Sequence, residues 1–388
     1  AAYPPSDQRW TALVALVPFL LALRATSVSQ GIALGFVWSL AMSYGVTSWL
    51  IGAVVRYFDQ AWYVGVAMLA GTTLVGASIE YCAVALCHRA FVRRFAPVPV
   101  VILTAAAWVA AELCRTRIGF GNPWGLFGYA IVGDGTGTLW PSLVQIADVG
   151  GVYAVTFVLV AINAAIAEAL AGATRRDFAR GTGALVLGAV VAASGYGYGR
   201  ARLSAVAAEG GASVPIAIVQ ANLDLGSQWR EEMYGANLAE YLELTDRVLH
   251  EHRPRIRTVF WPENSMTFFV DKEPAYRAAI GRVLAAYDAE LVAGAPRFEN
   301  PDQPAYFNSV FVFRPDGEIS ARYDKRRLMP FAEYFPLSMI DLLRRSFGRV
   351  RTFEAATPLA PMPSRVGKLG IIVCNEAIYP DDAATRVR

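Results

Sequence analysis

Charge is what this chain has least of. Lys and Arg number 35 and Asp and Glu 32 among 388 residues, a charged share of 17%, where a soluble globular domain averages about a quarter. Hydrophobic residues reach 55% and mean hydropathy is +0.36, a composition that points to membrane. The net charge of +3 is too small and too dispersed for the basic footprint of a nucleic-acid binder. Histidine is nearly missing, with three residues, and there is no CxxC pair, so metal-ligand spacing is absent and neither metal nor cofactor is expected. The four cysteines give no disulfide framework: Cys82, Cys87 and Cys114 fall in apolar segments and Cys374 stands apart. No GK[ST] follows the glycines at 133–137, which excludes a phosphate loop there. No signal-peptide pattern precedes the first apolar segment. The chain also starts at Ala1 rather than Met, so a trimmed N-terminus is expected.

What charge there is sits mostly after residue 200, which divides the chain into an embedded half, 1–200, and a water-facing half, 213–388. Six apolar stretches can be read, roughly 10–23, 31–55, 61–87, 98–114, 142–170 and 181–199. Several exceed the ~20 residues that cross a bilayer. Pro18 makes the first a broken or residual span. The connecting loops carry Arg24, Arg89, Arg93, Arg94, Arg175, Arg176 and Arg180 on one set and Arg56, Arg115, Arg117, Arg200 and Arg202 on the other. The positive-inside rule makes the larger set cytoplasmic and puts the second half outside the cytoplasm. Ala1 would then also lie outside, which one missing N-terminal span would resolve. The loop 115–141 mixes Gly, Pro and the aromatics Phe120, Trp124, Phe127, Tyr129 and Trp140. It reads as an interfacial anchor, or as one wall of a lipid entry cleft. Glu112 is an intramembrane acid and so a functional candidate by default, although its place near a segment end predicts solvation.

The second half alternates short strands and helices. Strands are predicted at 214–223, 257–263, 290–298, 306–313, 318–325 and 368–373, with helices at 231–252 and 273–290, where Pro274 suits a first turn. Arg314-Pro315-Asp316-Gly317 marks a hairpin turn. Strands alternating with helices imply an α/β sheet covered by helices.

Three chemically capable side chains stand just past strand ends: Glu263 in FWPEN (260–264), Lys325 in YDKRRLMPFAEYFP (323–336) and Cys374 in KLGIIVCNEAIYP (368–380). Ends of neighbouring strands lie side by side, so the three can converge. A carboxylate can take the thiol proton and pass it to a leaving group. An ammonium can lower the thiol pKa and hold an oxyanion, and the thiolate can form an acyl thioester. His250 and His252 sit at a helix end and read as solvated. Taken singly, Cys374 after an apolar run reads as a buried small hydrophobe, and Glu263 after Trp-Pro as a turn residue. Glu376 divides between turn hydrogen bonding and support of the site.

The three runs in this order resemble the Glu-Lys-Cys signature of the nitrilase (carbon–nitrogen hydrolase) superfamily. With the polytopic first half, and the stretch 121–164 in particular, nearly the whole chain resembles the apolipoprotein N-acyltransferase family. The resemblance implies a helical membrane domain plus a nitrilase-like αββα sandwich outside the cytoplasm of a bacterial inner membrane. It implies Glu263 as general base, Lys325 as oxyanion-stabilising amine, Cys374 as nucleophile and Glu333 as a second active-site glutamate. Its partners would be a phospholipid acyl donor and a diacylated lipoprotein acceptor. The family commonly has an aromatic residue where this chain has Asn375. The resemblance also predicts further strands and a closing membrane helix beyond Arg388. Two other functions fit the same residues: a membrane-tethered amidase, and an inactive lipid-binding membrane protein.

Overall fold

A computed structural model describes residues 3, 8–58, 60–118, 121–133, 137–174, 178–211, 213–223, 230–299, 305–330, 332–334, 353–357 and 360–387. Phe120, Gly135, Arg175, Arg176, Phe331, Phe335 and Pro336, singled out above, lie outside these residues, as does the side chain of Arg180. The chain divides into two compact units, Ala1–Gly210 and Gly211–Arg388.

The first unit is helical. A 3-10 turn at Arg9–Leu13 leads into α1 (Val17–Leu23), α2 (Val28–Thr47), α3 (Trp49–Phe58), α4 (Trp62–Gly76), α5 (Ser78–Arg94), α6 (Pro97–Arg117), α7 (Leu139–Val144), α8 (Ala147–Thr174) and α9 (Phe178–Glu209). Local chemistry sets several starts. Ser27 and Gln30 form a reciprocal capping box on α2, and Pro97 occupies the first turn of α6, where its missing N–H costs nothing. Among the described residues three helices are long and apolar enough to span a bilayer: Trp62–Arg94 across the α4–α5 break, α6 and α8. The pair Val28–Thr47 and Trp49–Arg56 qualifies together, bent by 51°. The apolar stretch at 10–23 folds instead as two short helices, with Pro18 in the first turn of α1.

Leu20, Tyr81, Val84, Ala105, Trp108, Leu159 and Val160 form the core of this unit. Several polar groups within it are partnered, as a medium without water requires. Asn163 on α8 accepts from Leu16 N at 2.9 Å and donates to Ala12 O and Leu159 O at 2.8 Å. Arg24 pairs with the buried Glu168. Glu112 is not solvated as expected: it is 2% exposed and accepts from Phe127 N at 2.7 Å, Thr156 Oγ1 at 2.9 Å and Trp108 Nε1 at 3.2 Å. The loop after α6 explains this, because its 3-10 turn Phe127–Ile131 folds back into the helical core, burying Phe127, Ala130 and Ile131.

The second unit is a mixed sheet with one helical face. β1 (Ala217–Ile218), α10 (Tyr234–Glu251), β2 (Thr258–Phe260), α11 (Pro274–Tyr287), β3 (Glu290–Phe298), β4 (Tyr306–Phe313) and β5 (Ile319–Asp324) form a five-stranded sheet in the order β1-β2-β3-β4-β5. The first three strands are parallel and the last two antiparallel. Alternation along β3 and β4 sorts the two faces. Leu291, Ala293, Ala295, Phe311 and Phe313 pack with Leu238, Tyr241, Ile280 and Leu284 of α10 and α11. Val292, Val312 and Tyr323 turn to the other face, against Met362 and Val373. A two-stranded ribbon of β6 (Met362–Ser364) and β7 (Gly367–Leu369) covers that face, followed by α12 (Pro380–Val387).

Two expected strands are shorter than read. Of 214–223 only Ala217–Ile218 pairs, and Ile218 is 77% exposed, as an edge position allows. The run 368–373 pairs only as far as Leu369, because the chain leaves the ribbon to make the turn that carries Cys374.

Helix contact in the first unit makes a direct prediction. A Cβ on Gly35 of α2 would meet Cys82 Cα at 2.8 Å and Tyr81 O at 2.9 Å, both backbone of α5, whereas one on Gly31 would meet only side-chain atoms at 3.6 Å or more. Small residues allow this close approach in a membrane bundle. Gly35→Ala is therefore expected to cost about 1–3 kcal/mol and to lower the melting temperature of the detergent-solubilised protein, while Gly31→Ala leaves it unchanged. Equal melting of the two variants would contradict the packing.

Candidate active site

The C-terminal ends of β2, β3 and β5 and the start of β4 share one edge of the sheet, as their register dictates. After β2 the chain turns at Trp261-Pro262 and presents Glu263. That turn lies tight on β3 because position 294 is glycine: a Cβ there would meet Glu263 Cα at 2.9 Å and Pro262 O at 3.0 Å. At the end of β5, Lys325 N still bonds Asn308 O at 2.8 Å, and the side chain turns inward to 1% exposure.

A buried ammonium requires counter-charge. Lys325 Nζ lies 3.0 Å from Glu333 Oε1, 2.9 Å from Glu333 Oε2 and 3.8 Å from Glu263 Oε1. Asn308 joins the two acids, its Nδ2 donating to Glu263 Oε1 at 2.7 Å and to Glu333 Oε1 at 2.8 Å. Met329 N adds a 2.7 Å bond to Glu333 Oε2. The sequence reading missed Asn308. Its signal was an Asn-Ser pair inside the otherwise apolar strand YFNSVFVF, where a polar side chain needs partners.

Cys374 opens a 3-10 turn, Cys374–Ile378, with φ of +51°. A non-glycine residue in that left-handed region is strained by about 1–2 kcal/mol, and such strain persists only where the surroundings enforce it. The enforcing group is Glu376, fully buried. Its carboxylate accepts from Val373 N at 2.9 Å, Arg326 N at 2.8 Å, Arg327 N at 3.1 Å and Tyr323 Oη at 2.8 Å. It thus binds the cysteine turn to the turn that carries Lys325, and its hydrogen bonds stay within that framework. Arg327 continues the tie to Asp382 on α12 at 2.6 Å. His250 and His252 are exposed.

The charges of Glu263 and Lys325 both act on the Cys374 thiol, and its pKa is raised. Crowding by surrounding atoms comes first, then the Glu263 charge; Lys325 opposes both without reversing them. The lysine does pull the thiol pKa down, as expected, but burial and the Glu263 charge outweigh it. The solvent-reachable Cys374 therefore rests as a thiol beside a carboxylate that can take its proton.

Residues 1–165 match the model of the apolipoprotein N-acyltransferase N-terminal domain, and residues 215–387 match that of carbon–nitrogen hydrolase. The chain belongs to the apolipoprotein N-acyltransferase family. The enzyme of that name from Geobacter metallireducens is 28% identical over 97% of this chain and 70% of its own length. The one from Azotobacter vinelandii is 29% identical over 99% of this chain and 72% of its own length. Among solved structures, a carbon–nitrogen hydrolase from Helicobacter pylori aligns at 22% identity and a TM-score of 0.32, covering 44% of this chain and 54% of that one. In this N-acyltransferase-family chain, Glu263, Lys325, Glu333 and Cys374 come together around Asn308, whereas Glu376 stands behind Cys374 as the tie of its turn. Among the described residues no cluster of His, Cys, Asp and Glu is arranged to hold a metal ion.

The raised thiol has a measurable sign. A raised acid pKa means less thiolate at neutral pH, so alkylation of Cys374 accelerates only above the ordinary thiol range. With Cys82, Cys87 and Cys114 replaced by alanine, Glu263→Gln removes the charge that raises the pKa. The midpoint of the alkylation–pH profile is expected to fall, with faster labelling at pH 7. An unchanged midpoint would show that Glu263 does not act on the thiol.

Proposed function

We propose that this protein transfers a fatty acyl group from a phospholipid, through a Cys374 thioester, to the α-amino group of the lipid-modified N-terminal cysteine of a lipoprotein. One arrangement carries the reading: the Cys374 thiol lies within the field of both the Glu263 carboxylate and the Lys325 ammonium, which stand 3.8 Å apart. Family membership supplies the substrate class, since the relatives that span this chain are named for N-acylation of apolipoproteins.

In the first half-reaction, Glu263 takes the thiol proton as sulfur attacks the ester carbonyl carbon. The Lys325 ammonium stabilises the resulting oxyanion, an effect strengthened by burial. Collapse breaks the ester C–O bond, and Glu263 returns the proton to the departing glycerol oxygen, releasing a lysophospholipid. In the second, the acceptor amine attacks the thioester carbonyl. Glu263 takes the amine proton and returns it to the sulfur as the C–S bond breaks. Generating the thiolate only during attack suits a thiol whose resting pKa is raised. Glu333 keeps Lys325 charged and aimed, and Glu376 holds the strained turn that presents the sulfur. The scheme runs through a covalent intermediate without metal or nucleotide.

The first unit's apolar helices make this a membrane protein. Its arginine distribution supports a bacterial inner-membrane placement with the second unit on the extracytoplasmic side.

The test is covalent labelling with a phospholipid radiolabelled in its acyl chain. Wild type is expected to accumulate hydroxylamine-sensitive acyl-enzyme, Cys374→Ala to accumulate none, and Glu263→Gln to acylate at least about 10²-fold more slowly. Addition of a diacylated lipopeptide should convert the label to an amide. Label persisting on Cys374→Ala would remove the nucleophile assignment, and release of free fatty acid alone would favour a hydrolase.

A further inference from the structure

A small open cleft lies within the first unit, lined by the C-terminal ends of α2 and α4, the start of α5, the end of α6 and the Asn122–Gly125 turn. The α2–α3 bend of 51° occurs at this level. α2 and α6, of 20 and 21 residues, each have the length of a bilayer crossing, so their common end lies at a membrane–water boundary.

Most polar groups around the cleft are committed. Thr47 Oγ1 donates to Ser43 O at 2.6 Å and Thr73 Oγ1 to Leu69 O at 2.8 Å. Asn122 Oδ1 accepts from Trp124 N at 3.1 Å. Two donors are not. Arg115 is 5% exposed; its Nη1 donates to Trp124 O at 2.5 Å, but its buried Nη2 has no hydrogen-bond partner. No carboxylate among the described residues forms an ion pair with it. The neighbouring Glu112 has both oxygens engaged by Phe127, Trp108 and Thr156. Beside it is Tyr81, over whose ring the guanidinium lies at 5.9 Å, and whose hydroxyl has no protein partner among the described residues.

A guanidinium withdrawn from water remains uncompensated unless its N–H groups find acceptors. Its planar fork, with a phenolic O–H alongside, matches the oxygens of a phosphate. We propose that this cleft is an anion site that takes a phosphate group at the membrane boundary, held by Arg115 Nη2 and Tyr81 Oη. The phosphodiester of a phospholipid headgroup and free inorganic phosphate share that chemistry. The proposal rests on the first unit alone and stands apart from the reading of Cys374.

Native mass spectrometry of the full-length chain in detergent tests it, with palmitoyl-oleoyl-phosphatidylglycerol, the phosphate-free dioleoylglycerol and inorganic phosphate as probes. Wild type is expected to bind the phosphatidylglycerol about tenfold more tightly than Arg115→Gln. Tyr81→Phe, which keeps the ring packed 5.5 Å from Trp108, should weaken it severalfold, and Cys374→Ala should not alter it. Dioleoylglycerol should not distinguish wild type from the variants. Displacement of the lipid by millimolar phosphate would identify a site for the anion alone; resistance to displacement would identify the lipid headgroup as the ligand. Equal phosphatidylglycerol binding by wild type, Arg115→Gln and Tyr81→Phe would overturn the proposal, as would an equal wild-type advantage for dioleoylglycerol.

Discussion

The ammonium of Lys325 cannot be buried alone. At 1% exposure it has lost its hydration, and removing its partner carboxylate would leave an uncompensated charge costing about 3–5 kcal/mol. Glu333 meets it with both oxygens, Glu263 stands at 3.8 Å, and Asn308 ties the two acids to each other. This small network holds the ends of β2, β4 and β5 and the segment around Glu333 at one sheet edge. The lysine pulls the thiol pKa down, but burial and the Glu263 charge outweigh it. A carboxylate, an ammonium and a protonated thiol then coexist in one site.

The second constraint is the turn at Cys374. Left-handed backbone at a cysteine is unfavourable in itself, and one buried carboxylate maintains it. Glu376 gathers three backbone N–H groups and a phenol from two turns distant in sequence. Its contribution is geometric, since it sets where the sulfur sits relative to Glu263 and Lys325. Of the two roles open to it, the bonds it makes are those of the turn.

The membrane unit follows the same rule with different groups. Asn163, Glu168 and Glu112 lie within apolar helices and each finds partners from a separate segment. In a medium that supplies no hydrogen bonds, such contacts specify which segment packs where. Arg115, which lines the cleft, departs from this on one of its nitrogens, which has no hydrogen-bond partner.

Much of this was legible in the residues themselves. Low charge and long apolar runs announced the membrane half; strand–helix alternation announced the sheet; and Glu263, Lys325 and Cys374 stood out as reactive groups just past apolar runs. The membrane and sheet readings survive because they depend on local period and composition, which a sequence carries directly. Three-dimensional packing decided the rest. Asn308 looked like an irregularity in an apolar strand until the β3–β4–β5 register placed it between two acids. Glu112 looked solvated until the Phe127 turn folded over it. The direction of the thiol pKa depended on how deeply the turn buries the sulfur and on Glu263 lying beside it, more than a hundred residues away in sequence. Sequence determines which groups are available; only the tertiary structure decides which of them neutralise one another and which remain free to react.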